Sequence, residues 1–508
     1  MRKFKKVVAS VLATAMVCSL AVCGGETSTS TSTSTGTTST STESTGNSGE
    51  ASSDAVTINL YRKSFNIATV DEAQLKKVED AINTYIADKI NAKVKLTEMS
   101  GDYEDKANLA FLNGEADLLW TASWEGTIGT KDLYAANAVY DITDLIAGTT
   151  LYNSMDSKQW EASKYGGKNY FIPVYKDNVE GYDIMFRKDL VDKYGWDVSS
   201  VKKFADIEPM LADCKAEGLK YPFLTQKTPL FYRLCMDGFD FFTGDSASNW
   251  VAVDRKTNEV VNPVLTPEYE EFCTLMSKWA EAGYVSEDDA TKTTTDQTIM
   301  GDDWGISWWT DVPNNAEANG RYGREVVMAP ATKRYLHTDS MLGSCYCISA
   351  KASPEVAKAC IDFMGLLYTD SKLADMYTYG IEGEDFEYTA DGLIDQHSEK
   401  YNHSMWESAS ATAVTAGKDS PYTPQMYIDF NNSAEVSCAN GFHFDKSPVE
   451  AQYTACTKVF EEYGFGLENG AYPSDSIKDT IAQYAAALDE AGYQEVLAEM
   501  QNQYNNWK

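Results

Sequence analysis

The sequence predicts an α/β protein of two lobes, each built on a mixed, mostly parallel sheet flanked by helices. Three observations carry this. Short apolar strands alternate with helix-period repeats along most of the chain. Roughly 450 residues remain beyond the N-terminal region, more than a single hydrophobic core of about 100 to 200 residues accommodates. Clusters that combine aromatic and acidic residues fall in both halves.

The chain opens with Arg2, Lys3, Lys5 and Lys6, then a 14-residue apolar run from Val7 to Leu20 that leads into Leu20-Ala21-Val22-Cys23-Gly24-Gly25. This reads as a lipoprotein-type secretory signal, residues 1–22, which leaves Cys23 as the lipid-bearing terminus. The apolar run is shorter than the roughly 20 residues a spanning helix needs. Residues 23–55, rich in Ser, Thr and Gly, read as a flexible tether. The expected location is the outer face of the cell membrane, held there by lipid.

Val56-Thr57-Ile58-Asn59-Leu60-Tyr61 reads as a strand, and Leu75, Val78, Ile82, Tyr85, Ile86 and Ile90 recur at helical spacing. Ala92 to Glu98 is the next strand, Ala107 to Asn113 a short helix, and Asp117 to Trp120 a further strand. Asp183 to Arg187 is a strand that runs into a helix from Lys188. Cys345 to Ser349 reads as a strand followed by a helix opened by Ser353-Pro354-Glu355, a capping serine with proline in the first turn. Two helices close the chain, broken at Gly492.

A formal net charge of -33 opposes nucleic-acid backbones and anionic headgroups, and no basic cluster with interleaved aromatics appears. Beyond Cys18 and Cys23, the cysteines at 214, 235, 273, 345, 347, 360, 438 and 456 form no compact framework and are expected mostly as buried thiols. Cys345-Tyr346-Cys347 lacks a completing pair, and His337, His397, His403 and His443 show no ligand spacing, so neither metal nor cofactor is expected. Aromatic residues make up 12% of the chain, including 31 Tyr and 11 Trp, a surplus that suits a cleft gripping flat, weakly polar faces.

The order of segments resembles the extracellular solute-binding proteins of ABC importers, the type that includes maltose-binding protein, in its larger Gram-positive lipoprotein branch. Phe171-Ile172-Pro173-Val174 with Tyr182 to Leu190 resembles the crossover into the second lobe, where members of that family typically carry Asn in place of Arg187. Leu342-Gly343-Ser344 through Ile361-Asp362-Phe363, Tyr379-Gly380-Ile381-Glu382-Gly383, and the ending Ala491 to Tyr504 resemble later landmarks. The resemblance implies a type II periplasmic-binding fold, with residues 56–176 and 340–395 in the first lobe and 177–339 and 396–508 in the second. It also implies a ligand cleft between lobes, hinge closure, a membrane permease as partner, and no catalysis. A monomer is expected.

By similar placement, cleft residues fall at Trp120, Trp124 and Glu125, at Tyr175 and Asp177 on the first crossing, at Phe231 and Arg233, and at Trp308, Trp309 and Asp311. Their chemistry fits a carbohydrate: a pyranose offers an apolar C–H face and a hydroxyl rim, which call for aromatic platforms beside carboxylates and guanidinium groups. Trp308 and Trp309 are adjacent, so on a strand they face opposite ways. A secreted glycoside hydrolase, using two carboxylates, and a peptide or polyamine binder of the same shape remain open alternatives.

Overall fold

A computed structural model of the chain describes residues 55–241, 250–286, 288 and 296–507; the signal sequence, Cys23 and nearly all of the tether lie outside them. The first sheet orders Ala92–Met99, Val56–Lys63, Leu118–Thr121, Cys345–Ile348 and Phe171–Pro173. Its first three strands pair in parallel through the predicted βαβ unit, whose helix Glu72–Ile86 buries Leu75, Val78, Ile82 and Ile86. The second sheet orders Val326–Pro330, Tyr182–Arg187, Trp304–Thr310 and Tyr221–Phe223.

Both sheets are mixed. Cys345–Ile348 runs antiparallel to both neighbours in the first, and Tyr182–Arg187 does so in the second. Each is the strand that enters its lobe just after the chain has crossed from the other, so it points against the strands delivered by local helices. The helix Pro354–Leu367 is capped as its sequence indicates, with Ser353 Oγ accepting from Val356 N at 3.3 Å. Gly492, at φ +91°, separates Ile477–Glu490 from Tyr493–Trp507, a backbone conformation that favours glycine.

Two principal cores lie on either side of three crossings. Ile58, Trp160, Tyr346, Phe363 and Tyr377 belong to the first, and Phe186, Trp250, Trp279, Phe460 and Tyr484 to the second. The chain passes between them near 174–181, 332–338 and 433–438. Glu180 and Tyr335 exchange backbone hydrogen bonds of 2.8 Å each, and Glu435 N and Ser437 N donate to Arg334 and Leu336 carbonyls at 2.9 and 3.0 Å. The boundary expected at 395/396 is corrected by these cores: Tyr401, Ala409, Ala413 and Val414 are buried in the first, and the last crossing falls near 434.

The cysteines at 214, 235, 273, 345, 347, 360, 438 and 456 are free thiols, six of them buried. Among the described residues no helix is long and apolar enough to cross a membrane, and no group of three or more His, Cys, Asp or Glu could hold a metal ion.

Candidate functional site

A cavity of about 950 Å³ opens between the cores. One wall presents Trp124 and Trp406, which belong to a cluster of four rings. Phe65 lies 5.1 Å from Trp120, 6.2 Å from Trp124 and 4.8 Å from Trp406 between centroids, and Trp120 lies 6.1 and 6.3 Å from Trp124 and Trp406. Such edge-on arrangements are the favoured geometry for aromatic pairs. Trp120 is sealed at 1% exposure, whereas Trp124 is 53% exposed and lines the cavity.

Local chain geometry fixes this indole. Trp124 follows the carboxyl end of Leu118–Thr121, where open α/β sheets place ligands. Ser123 N donates to Leu342 O at 2.8 Å, and Trp124 Nε1 donates to Gly343 O at 2.7 Å. The ring therefore cannot swing without losing a hydrogen bond. Glu125 turns away: its carboxylate, with 4% of the side chain exposed, takes an ion pair from Lys63 at 2.6 Å.

The segment 396–427 supplies much of the remaining wall. Trp406 stands on the short helix Met405–Ser408, held where Ser404 N donates to Glu407 Oε1 at 2.8 Å. Behind it, Arg62 and Glu98 form a buried pair at 3.1 Å, and His403 Nε2 approaches Glu98 Oε2 at 3.0 Å. Burial alone would raise the Glu98 carboxyl, but His403 and Arg62 bring it down to about 2. Tyr422 and Tyr427 stack at 5.6 Å and 25°. Burial, with Glu317 and Asp177 adding to it, pushes the Tyr422 phenol up to about 12.

Asp177 and Lys176 enter the cavity from the first crossing, paired at 3.1 Å. Ala316 and Glu317 face them from the second lobe, and Asn314 Nδ2 spans the gap to Pro421 O at 3.1 Å. Tyr379, Gln396, Asn402 and Ser404 add hydroxyl and amide groups.

Of the residues indicated by the sequence, Trp124 and Asp177 line this cavity; the others stand elsewhere. Trp120 supports it from behind. Tyr175 is 7% exposed and belongs to the first core, while Phe231, with no exposure, belongs to the second. Asp311 is 5% exposed and accepts from Arg334 Nη2 at 3.1 Å, so its charge serves the crossing. Trp308 and Trp309 do face opposite sides. Trp308 packs on the second core with Nε1 donating to Thr225 O at 3.0 Å and the Arg233 guanidinium 4.6 Å above its ring, whereas Trp309 meets Tyr322 at 5.3 Å.

Trp406, Tyr422, Tyr427 and Glu317 were not singled out by the sequence. The density of aromatics around Pro421 and Pro424 was the available signal, but it fell in a segment assigned to the other lobe.

A model of the bacterial extracellular solute-binding protein family matches residues 80–382, and one for a domain of unknown function (DUF3502) matches residues 438–508. The chain is 23% identical over 529 aligned positions to a carbohydrate ABC transporter substrate-binding protein of Streptococcus pneumoniae, covering 100% of this chain and 99% of that one. Its structure is similar to that of the N-glycan transport solute binding protein (NgtS) from Streptococcus pneumoniae, with TM-score 0.72 and 22% identity across 89% of this chain and 99% of that one. It also matches the same protein in complex with Man5GlcNAc, with TM-score 0.60, 22% identity and coverage of 89% and 98%. The family match spans more than half of the sequence, and the two-core architecture agrees with it: the chain is a member of the bacterial extracellular solute-binding protein family.

Proposed function

We propose that the protein captures an oligosaccharide in the cleft between its lobes and delivers it, unaltered, to the permease of an ABC importer. The observation that carries this is the Trp124 indole, exposed yet locked by its hydrogen bond to Gly343 and backed by the Phe65 and Trp120 rings, in a cavity whose rim supplies carboxylates, amides and hydroxyls. A fixed ring loses little freedom when a sugar face stacks on it. The chain's similarity to a carbohydrate ABC transporter substrate-binding protein and to an N-glycan transport solute binding protein supports the same reading. Contacts from both lobes would favour a closed form, with the three crossings as hinge. Attachment through Cys23, outside the described residues, would keep the protein beside its permease.

The test is thermal unfolding against a panel of neutral oligosaccharides of two to six units. A ligand at 100 times its dissociation constant stabilises by about 2.7 kcal/mol, which for lobes of this size is a rise of roughly 5 to 11 °C. No shift with any member would refute the proposal. Chromatography of the incubated sugars decides against the hydrolase alternative if they remain intact, and a shift with peptides or polyamines alone would establish that other ligand class.

A further inference from the structure

The charges around the cleft bear on which saccharides it admits. Among the described residues lining the cavity, Asp177, Glu317 and Asp419 carry carboxylates, and Lys176 carries the one ammonium. Lys176 is committed within the crossing: Nζ lies 3.1 Å from Asp177 Oδ1 and 3.3 Å from the Asp177 carbonyl. His403, at the back, is turned to Glu98. Glu317 and Asp419 thus face the cavity unmatched by a cation lining it.

The surroundings of Glu317 support this reading. The enclosing walls and then Asp177 raise its carboxyl from the usual range, against the opposing effects of Lys176 and Arg321. The Arg321 guanidinium is placed 5.3 Å over the Trp309 ring. Tyr422 and Tyr427 also stand in the field of Glu317 and Asp177. An incoming carboxylate or sulfate would meet two carboxylates with no uncommitted cation lining the cavity beside them, in a partly enclosed space where like charges repel more strongly than in open water. Hydroxyls donate well to the same oxygens, and an ammonium is favoured by both the carboxylates and the aromatic faces.

We infer that the cleft selects by charge, admitting neutral or amine-bearing oligosaccharides and excluding those that carry carboxylate or sulfate, with Glu317 as the principal discriminating residue. This rests on the carbohydrate reading above. The site is the ring-walled cavity; the carboxylates determine what it rejects.

The experiment equilibrates purified protein with two pools at equal concentration, neutral glucan, mannan and chitin oligosaccharides against pectate and alginate oligosaccharides, and identifies retained species by mass. Retention of neutral species at least about tenfold over uronates supports the inference, as does a smaller ratio at about 0.5 M salt, where exposed charges are screened. Comparable retention of both pools overturns it and leaves carbohydrate binding standing. Retention of neither overturns both. Glu317→Gln, at an exposed position, should raise uronate retention severalfold relative to neutral retention; an unaltered ratio removes Glu317 from the role.

Discussion

Glu180 sits on the first crossing with its carboxylate against His337, on the second, and within reach of the Tyr232 and Tyr182 hydroxyls, the latter at 2.8 Å. Burial opposes its ionisation, but His337 and then the two phenols hold the carboxyl at about 2 instead of 4.5. That displacement corresponds to about 3 kcal/mol of folded-state preference for the charged form. Because the folded value is the lower one, the stabilisation is present above about pH 4.5 and is lost as pH falls towards 2. His337 moves the opposite way: Glu180 raises it despite burial, so its share is present below 6.5 and is lost as pH rises through the raised value. Stability linked to the pair should therefore be greatest between about pH 4.5 and 6.5. Glu180→Gln keeps the shape and removes the charge. It should cost about 3 kcal/mol, a fall in melting temperature of roughly 6 to 12 °C near pH 6, and should flatten both limbs of the pH profile. Urea unfolding from pH 3 to 8 measures this. A variant within 1 kcal/mol of the parent at pH 6, with an unchanged acid limb, would refute the assignment of the pair as a stabilising link across the hinge.

Replacing Trp124 with Ala should abolish or weaken saccharide-induced stabilisation by at least about tenfold in affinity, with unfolding in the absence of sugar altered by only about 1 kcal/mol because half of the ring is already exposed. Trp308→Ala should do the reverse, lowering stability by about 3 kcal/mol or more through its packing on the second core; calorimetry of both variants checks the pair. Glu98→Gln should leave Arg62 buried without its counter-charge and cost about 3 to 5 kcal/mol. It should also loosen the loop that carries Trp406, seen as weaker sugar binding at temperatures where the variant remains folded.

Much of the first lobe was legible because its signals are local. The βαβ opening shows period 2 and then period 3.6 in its apolar residues, and the helix after Ser353 declares its own start. The crossings were legible only in part. Phe171 to Leu190 marks the first, but nothing local shows that residues 396–434 return to the first core, since Tyr401, Ala409 and Val414 are separated by polar residues without a period. The cleft suffered most from this. Trp120 and Trp124 are four residues apart in one stretch, yet one ends inside and the other faces the cavity, because the strand stops between them and Ser123 turns the chain. Phe231 and Trp308 look like cleft residues in composition, but their burial depends on a core assembled from chain ends more than 200 residues apart.

The two sides of the cleft differ in how they are held, which bears on the order of events. On the first lobe, Trp124 is tied to Gly343, Trp406 is backed by Phe65 and Trp120, and the loop beneath it is anchored by the Arg62, Glu98 and His403 network. That wall is held by contacts within its own lobe. The second lobe contributes Ala316 and Glu317, at the start of a seven-residue helix, and among the described residues Asn314 to Pro421 is a polar bridge across the mouth. A sugar can therefore dock on the ringed wall first, with little ordering cost, and the second lobe can then test its charge as the hinge closes. On this account Trp124 should govern the rate of sugar loss, and Glu317 the choice among sugars.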